Sequence, residues 1–249
     1  MRAGDYLDML RTLPLGTLED LTAGQPFLVL SPHPDDETLG CGGLLAAACQ
    51  AGIPPYVMIL TDGAASHPRS RSYPPARLTA LRQDESRRAV ACLGMREDHL
   101  RFLGLPDAAT PSAGAVYDAA VDAIVRLVRE TKAATLFVTW GNDPHCDHET
   151  AYAMARTAKS VLAAERPGLR LWAYPVWGLH LPDHAAVDRD RPSGFRLDIA
   201  TQRDAKLRAI RCYASQMTDL IDDDPDAFRF TPAQLLPFLG DREIYIEVD

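Results

Sequence analysis

The chain has 249 residues, 47% of them hydrophobic and 24% charged, an ordinary globular composition with enough apolar material for a sizeable core. Its formal net charge of -8 and its lack of any basic run argue against nucleic-acid binding, because phosphate contacts normally demand a basic face. Five cysteines, an odd number with no CxxC pair, cannot supply a full disulfide framework and point to a reducing compartment.

Residues 1–24 alternate apolar with acidic and polar side chains and lack the uninterrupted apolar stretch of a signal peptide. No run approaches the length of a membrane span. The expectation is a soluble, cytoplasmic protein without a membrane span. An apolar run at 27–31 then reads as a strand, followed by a helical pattern at 38–51. Strand-like runs at 56–61, 100–103 and 136–140 alternate with helical patterns at 77–93, 116–132 and 149–164. Runs at 169–174 and 243–248 add two further strands, with a helix at 201–217 between them. Gly52 and Gly94 end the first two helices and Pro75 opens the second. This alternation predicts an α/β fold, a Rossmann-like, mostly parallel sheet with helices on both faces, and 1–249 reads as a single domain. Stretches 64–76 and 182–194 read as long loops of the kind that form lids or binding elements.

Two polar clusters follow strand ends. Ser31-Pro32-His33-Pro34-Asp35-Asp36-Glu37 comes after the first run, and Asp143-Pro144-His145-Cys146-Asp147-His148 after the fourth. In an open α/β sheet, ligands bind beyond the carboxyl ends of strands where strand order reverses. If the first and fourth strands flank that point, as in a 3-2-1-4-5 order, the clusters form one site. His33, Asp36 and His148 then make the His-Asp-His set of a catalytic zinc site with a position left for water. Water there becomes acidic near neutrality, and Asp35 is the candidate base. His145 suits the oxyanion or acid role, with Asp147 expected to hold its ring and favour its charged form. Glu37 is left an orienting role. Capping offers a plainer account: Asp35 or Asp36 at the helix near Thr38, Asp147 at the helix near Glu149, and Asp143-Pro144 as a turn. It leaves His33 and the preceding Pro32 idle.

These residues carry a resemblance. His33-Pro34-Asp35-Asp36-Glu37 matches the (A/S)HPDDE signature, and His145-Cys146-Asp147-His148 the HxDH signature, of the PIG-L (LmbE-like) zinc-dependent N-deacetylases. The resemblance runs from about residue 27 to 216, through Thr61-Asp62-Gly63, Gly104-Leu105-Pro106-Asp107 and Tyr213-Ala214-Ser215-Gln216. It implies the same ligands and base. It adds removal of an N-acyl group, most often acetyl, from a small amino-sugar conjugate such as an N-acetylglucosaminide. It also suggests substrate contacts at Arg82 and Asp107. The sequence departs from the signature where Pro32 precedes His33. Zinc and ferrous iron share these ligands. Hydrolysis of an ester or phosphate stays open, as does a binding module with a structural metal, although the latter needs neither Asp35 nor His145.

Other residues have plainer readings. Cys146 is expected to point away from the metal. His67, His180 and His184 read as solvated loop histidines. Gly40, Gly42 and Gly43 suit close packing of the first helix on the sheet. Trp140, Trp172 and Trp177 suit the core or a crevice wall, and Asp222-Asp223-Asp224 a solvated loop. No strand edge or apolar stripe decides the oligomeric state.

Overall fold

The computed structural model describes residues 1–187 and 191–248. In chain order the elements are α1 (Ala3–Thr12), β1 (Leu15–Gly16), α2 (Leu18–Thr22), β2 (Phe27–Ser31), α3 (Asp36–Gln50), β3 (Pro55–Thr61), α4 (Pro75–Cys92), β4 (Leu100–Leu105), α5 (Ala115–Thr131), β5 (Thr135–Thr139), α6 (Cys146–Leu162), β6 (Arg170–Tyr174), β7 (Gly194–Asp198), α7 (Arg203–Ile210), α8 (Ala214–Met217), α9 (Pro232–Leu235) and β8 (Arg242–Glu247). Eight strands form one sheet in the order β1-β7-β8-β6-β5-β2-β3-β4. Only β8 runs against its neighbours, β6 and β7.

The fold is the Rossmann-like α/β arrangement expected. β2 reads as a continuous apolar run because both its faces are covered. Leu28 and Leu30 enter a core shared with α1, α5 and α6, whereas Phe27 and Val29 enter one shared with α3, α4 and α7. The chain lays β3 and β4 to one side of β2, then returns to place β5 on the other, pairing Leu30 with Val138. The strand order reverses between β2 and β5, so the loops after both strands share one crevice.

Two expectations change. The helix read over 201–217 breaks after Ile210 and resumes at Ala214. Tyr213, between the two pieces, turns its ring fully inward. A strand, β7, begins at Gly194, where the second long loop was read to end. Positions 188–190 of that loop lie outside the described residues, and the rest has no regular element beyond a bridge between Arg2 and Ala186.

Glycines in α3 permit close approach from both sides. A Cβ on Gly40 would stand 2.1 Å from the Tyr174 ring, and one on Gly43 would stand 2.4 Å from Ile199. Helix α3 therefore packs on the sheet at Gly40 and on the segment leading to α7 at Gly43. The opening also lets Glu243 of β8 reach the helix backbone, accepting from the N–H groups of Gly43 (2.6 Å) and Leu44 (2.8 Å). Lys206 completes the buried pair, with Nζ 2.8 Å from Glu243 Oε1. Removing one partner of such a pair strands the other charge. Lys206→Met is expected to destabilise the protein by about 3 kcal/mol, read as a fall in the urea unfolding midpoint.

Candidate metal and catalytic site

The turn after β2 is held by Glu37. Its Oε2 accepts the backbone N–H of Asp35 at 3.1 Å, and its Oε1 accepts from the hydroxyls of Thr38 (2.7 Å) and Tyr213. Ser31 closes the turn, donating to the His33 carbonyl at 2.7 Å and accepting from the Glu37 N–H at 3.1 Å. Within this bracket Asp35 has φ 130°, a conformation that costs a non-glycine residue about 1–3 kcal/mol. Asp35 stands at the start of α3, yet its side chain makes no capping bond. The carboxylate is thereby free for another task.

Asp36 is the first residue of α3, and its Oδ2 accepts the His33 N–H at 2.9 Å. The same oxygen lies 3.3 Å from His33 Nδ1 and 3.2 Å from His148 Nε2, and those two nitrogens are 3.2 Å apart. Tetrahedral coordination with bonds of about 2.0–2.1 Å sets neighbouring donors roughly 3.3–3.4 Å apart. The triangle therefore has the edge that a small divalent cation requires.

The ring orientations are fixed from behind. Asp143 accepts His148 Nδ1 at 2.9 Å, and also the N–H groups of Val176 (3.0 Å), Trp177 (3.2 Å) and Gly178 (2.7 Å). His33 Nε2 lies 3.0 Å from Asp147 Oδ2 and 3.2 Å from Asp107 Oδ1. In the neutral tautomer that donates its far N–H to a carboxylate, each ring presents a lone pair, at His148 Nε2 and His33 Nδ1, toward Asp36. Burial alone would push the His148 imidazole down, but Asp36 and Asp143 raise it to about 9. For His33, burial is likewise outweighed by Asp107, Asp147 and Asp36. These shifts mark a pocket that draws in positive charge, consistent with a cation-binding donor set.

His145 lies edge-on to His33, with ring centroids 4.6 Å apart, and the ligand atoms of His33, His145 and His148 fall within 4.8 Å of one another. The expected pairing of His145 with the Asp147 carboxylate is not what the structure has. It is the Asp147 backbone N–H that donates to His145 Nδ1, at 3.2 Å, so His145 itself caps α6. The Asp147 carboxylate turns instead to His33 and to the N–H groups of Ala108 (2.8 Å) and Thr110 (3.1 Å). Burial, followed by the neighbouring His33 and His148, lowers His145 to about 4 rather than favouring its charged form. An accepting Nδ1 places the ring proton on Nε2.

His33, Asp35, Asp36 and His145 line a cavity of about 200 Å³ with Arg82, Asp107, Ser66, Gln216, Trp177, Phe228 and Phe230. Arg82 is 2% exposed, and its guanidinium donates to the carbonyls of Pro34 (2.7 Å) and Gly63 (3.0 Å) and to Asp35 Oδ2 (3.2 Å). It braces Asp35 as well as bordering the cavity. Burial raises the Asp35 carboxyl well above its usual range, against the pull of Arg82. Asp107 Oδ2 accepts the Ala65 N–H at 2.8 Å, which ties the first long loop to the site.

The acidic run is exposed at Asp222 and Asp223, as read, but it also holds a neighbouring loop. Asp223 accepts from the Ser70 hydroxyl (2.6 Å) and the N–H groups of Arg71 and Ser72 (both 2.9 Å), and Asp224 from the Arg69 N–H (2.8 Å). It clamps loop 64–76 to the segment carrying Phe228 and Phe230. His67, inside that clamp, is buried, whereas His184 is exposed and His180 half-buried. Trp140 and Trp172 are core residues, and Trp177 stacks on Phe230 with ring planes 3° apart. Cys146 is exposed, with Sγ 3.7 Å from the Ala108 carbonyl, outside the triangle. Sequence reasoning left Asp143 as a turn and gave no role to Phe228 or Phe230. The first had a signal, a carboxylate five residues before His148; the phenylalanines had none, since their place depends on the clamp.

Known proteins resemble this chain in sequence and in fold. A 2'-N-acetylparomamine deacetylase of Streptomyces fradiae is 31% identical over 153 residues, covering 56% of this chain and 54% of that protein. The chain thus spans about half the length of that relative. A 1D-myo-inositol 2-acetamido-2-deoxy-alpha-D-glucopyranoside deacetylase of Rhodococcus erythropolis is 27% identical over 239 residues, covering 77% of this chain and 81% of its own. The solved structure of N,N'-diacetylchitobiose deacetylase from Pyrococcus horikoshii shares the fold, with TM-score 0.69 at 19% identity over 98% of this chain and 90% of that one. Residues 28–159, more than half the chain, match the PIG-L profile, described as GlcNAc-PI de-N-acetylase, and the protein belongs to that family.

Proposed function

We propose that the protein is a metal-dependent N-deacetylase that hydrolyses the acetamide of a small N-acetylated amino sugar, an N-acetylglucosaminyl conjugate above all. The observation that carries this reading is the placement of Asp35 in the same cavity as His33 and Asp36, which form a donor triangle with the buried His148. The substrate class follows relatives whose names specify acetylated amino sugars.

His33, Asp36 and His148 would hold the cation, zinc in this reading, with ferrous iron able to use the same ligands. Bound there, the ion supplies Lewis acidity that polarises a carbonyl and makes water acidic near neutrality. Asp35, with Oδ2 braced by Arg82, takes the proton of the attacking water. Asp35 then delivers that proton to the departing amine. His145 donates its Nε2–H to the carbonyl oxygen as negative charge develops there. Asp147 works through His33 rather than through His145. Arg82 and Asp107 border the space left for the sugar and are assigned to holding it.

The whole chain is assigned to one domain, since the sheet recruits strands from residue 15 to residue 247. A cytoplasmic location is supported by five free thiols. Among the described residues no helix is long and apolar enough to cross a membrane.

Release of free amine from a panel of N-acetylglucosaminides by zinc-loaded protein tests the activity. Asp35→Asn should retain metal while losing on the order of 10²-fold or more in turnover, and turnover that survives would remove Asp35 from its role. His148→Ala should lose the metal itself, measured by mass spectrometry of the desalted protein. Asp143→Asn is expected to weaken metal affinity roughly 10- to 100-fold, read by competition with a chromophoric chelator. An unchanged affinity would show that Asp143 only organises the 176–178 turn.

A further inference from the structure

Cys92 ends α4, and Cys212 sits in the turn between α7 and α8. Their Sγ atoms are 3.7 Å apart, in direct contact across 120 residues of sequence. Both side chains are half-buried, so they are packed in place yet within reach of a small reagent. The catalytic reading makes no use of either.

We propose that Cys92 and Cys212 form a reversible redox site, closing into an intramolecular disulfide when a small disulfide such as oxidised glutathione is in excess. One thiolate of the pair attacks a reagent sulfur, forms a mixed disulfide and releases one reduced thiol. Its neighbour then attacks the protein sulfur of that bond and expels the second. The two protein thiols give up two protons and two electrons, which leave as two molecules of reduced glutathione. A disulfide of about 2.05 Å requires the sulfurs to close by roughly 1.7 Å, a movement of the scale that side-chain rotation supplies.

The bond would join two elements that stand behind Asp35. Helix α4 carries Arg82, which braces Asp35, and Glu85, which accepts the Ser215 N–H (2.8 Å) and hydroxyl (2.7 Å). Tyr213, next to Cys212, donates to Glu37. A non-covalent cross-link between these elements already exists at Glu85 and Ser215, and the disulfide would add a covalent one. In a reducing compartment the pair rests open, and it closes as the thiol pool becomes oxidised.

Peptide mapping without reduction tests this. Protein treated with excess oxidised glutathione should yield tryptic peptides 89–96 and 212–229 joined, lighter by two hydrogens than their sum, and separated again by dithiothreitol. Exposed Cys146 serves as the internal check, since its glutathione adduct shows that the reagent has acted. Cys212→Ser should trap glutathione on Cys92. Free thiols at Cys92 and Cys212 once Cys146 is fully modified would overturn the proposal. So would a separate glutathione on each of the two.

Discussion

Burying negative charge is the constraint around which this protein is organised. Asp35, Asp36, Glu37, Asp143 and Asp147 are all buried at the carboxyl ends of β2 and β5, and Asp107 stands half-buried beside them. An ionised carboxylate leaves water at a cost of several kcal/mol unless donors or cations replace the hydration. Glu37 is satisfied by hydroxyls and a backbone N–H, Asp143 by three backbone N–H groups and a histidine, and Asp147 by two backbone N–H groups and a histidine. Asp35 has Arg82. Asp36 faces ring nitrogens of His33 and His148 and accepts one N–H, so the demand for positive charge is concentrated where a cation fits.

Much of this arrangement is legible in the sequence, for a definite physical reason. Parallel strands covered on both faces are continuous apolar runs, and the polar clusters start immediately after two of them, so the meeting of His33, Asp36 and His148 follows once β2 and β5 are neighbours. What stays hidden depends on partners far away in the chain. Asp143 reads as a turn because its donors come from residues 176–178. Asp222-Asp223-Asp224 reads as solvated because its donors come from residues 69–72. The helix at 201–217 looks continuous because nothing local announces that Tyr213 must reach Glu37. Asp147 illustrates a finer limit. Spacing brings it near His145, but it cannot tell whether the carboxylate or the backbone N–H makes the contact.

The cavity has two kinds of wall. The side formed by the strand-end loops is polar and rigid, built on elements whose backbones are locked into the sheet. The opposite side, with Trp177, Phe228 and Phe230, is apolar and rests on loops. Those loops are tied down by the Asp223 and Asp224 carboxylates and by the Phe228 N–H, which donates to the Ser66 carbonyl at 2.8 Å. Trp177 also belongs to the turn held by Asp143, so one carboxylate couples the orientation of His148 to the position of the aromatic wall. Changes in the wall need not disturb the donor triangle, provided that this turn is kept.

The place of β8 has a consequence for how the molecule is made. It is the last strand of the sheet in sequence, yet it sits between β6 and β7, and β1 and β7 connect to the remaining strands only through it. It also carries Glu243, which grips the middle of the helix whose first turn presents Asp36. A chain emerging from the ribosome can align β2 to β6 early, because each new strand finds its neighbour already in place. Strand β1 and the seat of α3 must wait for β8. Maturation of the site is thus tied to β8, although every residue that faces the cavity precedes that strand in the chain.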